Sequence, residues 1–238
     1  ALDEMLGGGL DRGTSTLVMG PAGSGKSALS TQYAVGAAQR GEKAAMFIFE
    51  ESISSLFNRS GSLGMPLKEL HESGKIIVRQ IDPAQLQPGE FASLVREAVE
   101  RDGVRVLVID SLNGYLNAVP EEKFLLLHLH ELLSYLGHAG VATVLVFAQH
   151  GLVGSMHSVV DVSYLADTVI LMRYFEARGR IRKAVSIMKK RGGIHDTAIR
   201  DFSMSAAGLT VGAPLEDYRG VLTGVPTFEN IVKEIRES

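Results

Sequence analysis

The sequence has no cysteine and no tryptophan, and aromatic residues make up only 6% of its 238 residues. Without cysteine the chain has neither a disulfide framework nor a cysteine-based metal site. Its longest apolar runs, such as residues 141–148, are far shorter than the ~20 residues of a membrane-spanning helix. The net charge is only −3, which disfavours disorder and nucleic-acid binding over the whole surface. We therefore expect a soluble cytoplasmic protein without a membrane segment.

Strand-like and helix-like segments alternate along most of the chain, which predicts βαβ units and an α/β fold. Short apolar runs predict buried strands at residues 14–19, 43–49, 75–81, 104–109 and 141–148, with helices at 25–40, 52–64, 88–103 and 120–140. After residue 166 four strand-like runs follow without a helix between them (166–174, 181–188, 197–204 and 208–211). We therefore expect a mostly parallel sheet flanked by helices, with antiparallel strands at its C-terminal end.

The length suits one large domain over residues 1–238 better than two small ones. We expect its core at residues 1–212 and a C-terminal extension at 213–238, which is punctuated by Gly and Pro and ends in a short amphipathic helix.

The stretch "GPAGSGKS" (20–27) matches the complete P-loop pattern G-x-x-x-x-G-K-[ST] between a predicted strand and a predicted helix. Glycines let the backbone fold around a phosphate, and the helix N-terminus faces it. Lys26 is expected to reach the β- and γ-phosphates of ATP, and Ser27 to hold Mg²⁺. The residues predicted to bind the nucleotide here are Gly20, Gly23, Ser24, Gly25, Lys26, Ser27 and Ala28. The alternative is a glycine-rich turn with a solvated lysine.

Acidic and amide side chains follow three further predicted strands. Asp110 ends "VRVLVID" at the sheet edge where ligands bind, so we predict that it supports Mg²⁺, although it could also cap the next helix. Glu50 and Glu51 follow another strand, and we expect Glu50 to be the catalytic carboxylate and Glu51 to support it. A helix N-terminal acid pair is the alternative. Gln149 or His150, after "VATVLVFA", could sense the γ-phosphate or orient water.

Together these motifs resemble the RecA-like ATPases and, within them, the KaiC family of circadian-clock ATPases. The resemblance runs along nearly the whole chain, from "LDEMLGGGLDRG" (2–13) to "VLTGVP" (221–226). The combination of "FEES" (49–52) with "KKRGGIHDTAIRDF" (189–202) is more specific than the P-loop, which many families share. It implies a RecA-like P-loop NTPase fold with ATP and Mg²⁺ as ligands. Since the clock protein has two such domains in tandem and this chain begins inside a motif, we expect one domain of a longer protein.

The resemblance also implies a role for three adjacent cations that end a strand-like run. In such proteins ATP lies between the subunits of a hexameric ring, and this basic segment points at the neighbour's γ-phosphate. Lys189 and Arg191 are then catalytic residues acting in trans, and Lys190 faces the other way. His195 and Asp196 are expected near the neighbour's base or ribose. The alternative for the cations is a solvated strand end.

The clock protein's phosphorylating domain carries adjacent Ser and Thr just before a "DT" strand. Here the serine is retained as Ser163, whereas Tyr164 replaces the threonine. Serine/threonine autokinase activity with Ser163 as phosphosite is therefore an expectation from the resemblance, and an ordinary helix or turn serine is the alternative. The resemblance also suggests partner proteins of a signalling or clock type.

Two other functions fit the same fold. A RecA-type DNA-dependent ATPase would hold DNA with basic and aromatic residues, but the loop at 151–163 has no Lys, Arg, Phe, Tyr or Trp. Nucleic acid is therefore not an expected partner. A nucleotide-dependent scaffold without hydrolysis is disfavoured, because Lys26, Ser27, Glu50 and Asp110 form a complete set.

Overall fold

The computed structural model describes residues 1–84, 88–117, 122–149, 162–223 and 227–228. The strands are β1 (Ser15–Gly20), β2 (Lys43–Ile48), β3 (Ile76–Gln80), β4 (Val104–Asp110), β5 (Ala142–Ala148), β6 (Thr168–Ala177), β7 (Arg180–Lys190), β8 (Arg200–Ser205), β9 (Gly208–Pro214), β10 (Tyr218–Arg219) and β11 (Thr227–Phe228). The helices are α1 (Leu2–Met5), α2 (Lys26–Gln39), α3 (Ile53–Ser62), α4 (Leu67–Glu72), α5 (Pro88–Glu100), α6 (Leu112–Asn117) and α7 (Glu122–His138), with a 3₁₀ turn at Val221–Thr223.

Within the described residues, nine strands form one sheet in the order β3-β2-β4-β5-β1-β6-β7-β8-β9. All pairings among the first six strands, β1 to β6, are parallel. β7, β8 and β9 each run antiparallel to the preceding strand. The predicted fold class is therefore confirmed. The antiparallel part begins at β7, because β6, the first of the four runs after residue 166, still pairs in parallel with β1. β10 and β11 pair separately.

Helices cover both faces of the sheet, because alternate residues of each strand point to opposite sides. On one face Met46 packs in the same cluster as Ala34 of α2. On the other face Phe47 packs with Phe91 of α5 and Leu129 of α7. All five side chains are fully buried, and burying a large apolar side chain contributes about 1.5–3 kcal/mol.

The structure also contains short helices that the sequence patterns do not predict. These are α1, α4 and α6, which have four, six and six residues. Such helices have fewer than two turns and therefore show no i, i+3, i+4, i+7 repeat. Strand and helix ends differ from the predicted ones by one to three residues in most cases. The predicted tail helix and His150 lie outside the described residues.

The two edges of the sheet differ in the residues that they bring together. At the edge that we call the upper edge, the parallel strands β1, β2, β4 and β5 end, so the residues after them meet there. At the opposite, lower edge, β1 and β6 begin and β7 ends, because Thr168 pairs with both Thr16 and Lys190. Ligands of parallel α/β sheets bind beyond the carboxyl ends of strands, that is, at the upper edge.

Candidate active site

The glycine-rich turn at residues 20–25 joins β1 to α2 at the upper edge. Gly23 and Gly25 have φ angles of 74° and 112°, in the region that only glycine adopts freely. A Cβ on Gly25 would lie 2.9 Å from the ring of Phe202, and a Cβ on Gly23 would lie 2.8 Å from the Tyr174 hydroxyl. The 14-residue helix α2 begins directly after Gly25, so the turn lies at the positive end of its dipole.

Lys26 lies at the start of α2 and is only 6% exposed. Its Nζ donates to the carbonyl oxygen of Pro21 at 2.8 Å, inside the turn. Burial lowers the pKa of Lys26 to about 8, and the nearby charges of Asp110 and Glu50 oppose this shift. The lysine is therefore held in the turn, near two carboxylates, where a phosphate would replace the lost hydration.

Ser27 and Asp110 are in contact across the upper edge, although they lie on α2 and β4. The Ser27 hydroxyl donates to the Asp110 carboxylate. Burial raises the pKa of Asp110, whereas this hydrogen bond and the charges of Arg59 and Lys26 lower it. A hydroxyl beside a carboxylate suits Mg²⁺, which is bound by few protein oxygens together with water and phosphates.

The two adjacent glutamates after β2 differ in their surroundings. Glu51 is half-buried, and both its oxygens accept hydrogen bonds from the Arg59 guanidinium, at 3.2 Å and 2.7 Å. It also accepts a hydrogen bond from the Ser55 hydroxyl at 3.0 Å. Glu50 is exposed and lines the cavity beside Lys26. Both glutamates therefore line the cavity, Glu50 as the more accessible one and Glu51 bound to Arg59.

These groups surround one cavity of about 710 Å³, a size that is typical of small-molecule sites. Its lining consists of Gly23, Gly25, Lys26, Ser27, Ala28, Ile48, Glu50, Glu51, Ser52, Ser55, Arg59, Ser62, Leu63, Asp110 and Met204. Most of the predicted P-loop residues line it. Ser24 is buried in the turn, where no described residue bonds its hydroxyl, and Gly20 ends β1.

Gln149 lies directly beside the glycine-rich turn, as its position after β5 predicts. Its backbone N–H donates to the carbonyl oxygen of Gly20 at 2.9 Å. Its side-chain Oε1 is buried and has no hydrogen-bond partner within the described ranges. Asn113 of α6 fixes the preceding residue, because its amide bonds both the N–H and the carbonyl of Ala148, at 2.7 Å and 3.0 Å. The backbone of Gln149 is thus held beside the turn, although Gln149 is not among the described residues that line the cavity.

The basic segment lies at the lower edge, away from the cavity. Lys189 donates its Nζ to the carbonyl oxygens of Ser163 and Ala166, at 3.2 Å and 2.8 Å. Lys190 points to another segment, and its Nζ lies 3.1 Å from the Asp11 carboxylate. Both lysines are therefore bound within their own chain.

Arg191 is the most exposed of the three cations, with 59% of its side chain accessible. It pairs with Asp167 at 3.3 Å and donates to the carbonyl oxygen of Tyr164 at 3.1 Å. Exposed apolar side chains lie nearby in sequence, since Met188 is 51% and Ile194 89% exposed.

His195 and Asp196 belong to the segment between β7 and β8 and are half-buried. The Asp196 carboxylate accepts hydrogen bonds from the Ala198 N–H and from Arg200, each at 2.8 Å. These bonds lower the pKa of Asp196. Neither His195 nor Asp196 lines the cavity, so within one chain the structure does not bring them to the phosphate site.

Several cavity residues are not predicted from the sequence. Arg59 lies two helical turns after Glu51, and its position on α3 gives the only hint, because Ser55 and Arg59 share one helix face at i and i+4. Ser62, Leu63 and Met204 also line the cavity but carry no motif.

Two kinds of feature are absent from the part of the chain that the structure describes. None of its helices is both long and apolar enough to span a bilayer. Its His, Cys, Asp and Glu side chains also form no cluster of three that could hold a metal ion by itself. A metal at Ser27 and Asp110 would therefore need further ligands from a bound phosphate.

A glycine-rich turn between strand and helix, with Lys26 and Ser27 facing Asp110 and Glu50, defines a P-loop nucleoside triphosphatase of the RecA-like fold. The chain matches the family described as "ATPase: KaiC" over residues 1–216 and belongs to this family. It is an ATPase domain, and the family relationship does not favour the RecA-type DNA-dependent alternative.

The similar curated proteins are clock proteins. The chain is 28% identical to the circadian clock protein KaiC3 of Synechocystis sp. over 95% of this chain and 45% of the relative. It is 28% identical to the circadian clock oscillator protein KaiC of Synechococcus elongatus, over 95% and 44%. For the oscillator protein of Rippkaea orientalis the values are 27%, 95% and 43%. The chain thus spans about half the length of these relatives.

Proposed function

We propose that this ATPase domain binds ATP with Mg²⁺ and hydrolyses it in sites shared between neighbouring copies of a hexameric ring. One observation carries the proposal. The phosphate cavity lies at the upper edge of the sheet, whereas the basic segment predicted to act on the γ-phosphate lies at the lower edge. Lys189 and Leu17 lie at the same level of the sheet, because both pair with Val169. Gly20 lies three residues further along β1, so the phosphate turn begins about 10 Å from the level of Lys189. This separation within one chain supports a role of the basic segment at a neighbour's nucleotide.

The charges of the cavity support the two ligands. Among the described lining residues, Lys26 and Arg59 oppose three carboxylates, so the lining is not positive enough for a bare triphosphate. Mg²⁺ would be held by Ser27 and Asp110 and would supply charge neutralisation at the β- and γ-phosphates. The glycine-rich turn and Lys26 would bind the same phosphates.

In the proposed hydrolysis Glu50 accepts a proton from the attacking water. The water oxygen forms a bond to the γ-phosphorus, the bond from that phosphorus to the bridging oxygen breaks, and ADP leaves with the electron pair. Lys26 stabilises the charge that develops on the phosphate oxygens, and Gln149 orients the water or contacts the γ-phosphate. The accessibility of Glu50 and its position beside Lys26 support this role.

The role of Glu50 as proton acceptor is tested by measuring phosphate release from ATP by the variant Glu50→Gln. Loss of a positioned general base lowers turnover by about 10²–10⁴-fold, while ATP binding persists because the turn, Lys26 and Ser27 are unchanged. Binding is measured with a fluorescent ATP analogue. Turnover at the wild-type rate would refute the role of Glu50.

The exposed surface around Arg191 supports assembly. Ile194 and Met188 place apolar area next to this cation, and such surface is typical of interfaces. A cation that reaches a γ-phosphate in trans accelerates hydrolysis by ~10³ or more.

The assembly is tested by measuring molecular mass with and without ATP. The ring predicts six times the chain mass of 25.6 kDa. Ile194→Ser should lower the assembled fraction, and Arg191→Ala should lower turnover more than it lowers assembly. The matched control is Ile181→Ser, which removes an equally large side chain that is 79% exposed at the other end of β7. If Ile194→Ser and Ile181→Ser behave alike, this surface is not the interface.

Kinase activity and clock-type partners are further proposals. The first is supported by the sequence resemblance alone, and the second also by the clock proteins among the relatives. Ser163 lies at the lower edge, where its carbonyl accepts from Lys189, so a neighbour's ATP would have to phosphorylate it. Mass spectrometry after incubation with ATP tests this proposal, with Ser163→Ala as control. A phosphate that persists in Ser163→Ala would contradict it.

A further inference from the structure

Glu51 and Glu50 are adjacent in sequence but are bound very differently. The Arg59 guanidinium contacts Glu51 through two nitrogens, Nε to Oε1 at 3.2 Å and Nη2 to Oε2 at 2.7 Å. Paired contacts of this kind fix a carboxylate in orientation as well as in charge. Glu50 forms no ion pair with any residue that the structure describes. Of these two glutamates, Glu51 is therefore bound in an ion pair, whereas Glu50 is not.

Arg59 and Ser55 hold the Glu51 carboxylate, and we call this arrangement the clamp. It follows from the way α3 begins. Ser52 caps the helix by accepting the N–H of Ser55. Ser55 and Arg59 then lie one turn apart on the same helix face. Both side chains reach back to Glu51, just before the cap. The pair is partly protected from water, since each side chain is 28% exposed.

The surroundings of Arg59 are energetically unfavourable for a guanidinium. Its third nitrogen, Nη1, is buried and lacks a hydrogen-bond partner within the described ranges. The cavity lining there carries two cations and three carboxylates. Among the described lining residues, without Arg59 only Lys26 would oppose the three carboxylates, which would weaken the binding of a triphosphate.

We propose that Arg59 is a positioning residue that assigns different roles to the adjacent carboxylates, by holding Glu51 as its ion-pair partner and leaving Glu50 to take the proton. The inference rests on the proposed function, since it needs Glu50 to be the proton acceptor. In this proposal Arg59 acts through Glu51 and not on the reacting atoms themselves.

The decisive measurement is a double-mutant cycle on Arg59 and Glu51. Arg59→Gln leaves Glu51 unpaired in the cavity, and we expect kcat/KM for ATP to fall about tenfold or more, with weaker binding of an ATP analogue. Glu51→Gln should lower kcat several-fold, far less than Glu50→Gln. The double variant Arg59→Gln/Glu51→Gln should be no worse than Glu51→Gln alone, because the unpaired charge is gone.

A matched control separates this effect from general loss of an ion pair. Arg79 pairs with Glu97 at 3.7 Å outside the cavity, and the two side chains are 31% and 33% exposed. Arg79→Gln should leave kcat and KM unchanged. Thermal unfolding and molecular mass are recorded for each variant, so that a defect in folding or assembly is recognised. If Arg59→Gln does not fold, Arg59→Lys with and without Glu51→Gln gives the same comparison.

The outcomes distinguish this inference from the function on which it rests. Recovery of activity in the double variant, relative to Arg59→Gln alone, supports the clamp. Three results would each overturn the clamp: additive losses in the double variant, equal effects of Arg59→Gln and Arg79→Gln, or a defect of Glu51→Gln as large as that of Glu50→Gln. In each case a large defect of Glu50→Gln would leave the proposed function standing. Wild-type turnover in Glu50→Gln would overturn both.

Discussion

Nucleotide binding by this domain should take up a proton above about pH 8, because of the buried Lys26. Burial lowers its pKa from 10.5 to about 8, which corresponds to roughly 3 kcal/mol against the charged form. A bound triphosphate places several negative charges beside Nζ and restores the charged form. Affinity should therefore be nearly constant below pH 8 and should fall by up to about tenfold per pH unit above it.

The same shift has a defined sign for stability. The folded lysine loses its proton near pH 8, whereas the unfolded one keeps it up to its ordinary pKa of 10.5. Between these values the unfolded state binds more protons, so the contribution of Lys26 to the free energy of unfolding rises with pH in the ligand-free protein. Bound nucleotide should abolish this trend, because Lys26 then stays charged in the folded state as well.

Calorimetry in two buffers of different ionisation enthalpy measures the proton uptake directly. At pH 9 we expect about 0.9 proton per nucleotide bound, from the pKa of about 8. Lys26→Arg is the control, because arginine stays charged and its residual binding should take up none. Binding of ATP to the wild type at pH 9 without proton uptake would refute the reasoning.

Three further predictions concern single side chains. Gly25→Ala should abolish nucleotide binding in a fluorescence titration, because its φ of 112° and the nearby Phe202 ring exclude a Cβ, whereas Gly61→Ala, with open space around it, should bind normally. Phe91→Ala should lower the free energy of unfolding in urea by about 3–5 kcal/mol, and a loss below 1 kcal/mol would contradict its place in the core. Asn113→Ala should lower it by about 1–3 kcal/mol and weaken ATP binding, since it frees the end of β5; unchanged affinity would show that Gln149 is positioned by other contacts.

The local patterns of the sequence predict the parallel sheet and the phosphate turn well. Period and composition depend on neighbours within a few residues, so β1, α2 and the antiparallel end could be recognised. The six-residue helices α4 and α6 were not predicted, because their stability comes from packing and not from a repeat.

The sequence by itself determined the place of Lys26, Ser27 and Asp110 at one edge of the sheet, because a P-loop and a strand-end carboxylate need only local backbone geometry. The tertiary structure decided which groups meet. It paired Glu51 with Arg59 and left Glu50 accessible. It also placed the basic segment at the lower edge, where Lys189 bonds carbonyl oxygens of its own chain and Arg191 stays exposed. Such contacts join residues distant in sequence, and only strand order and register, fixed by the packing of the whole core, bring them together.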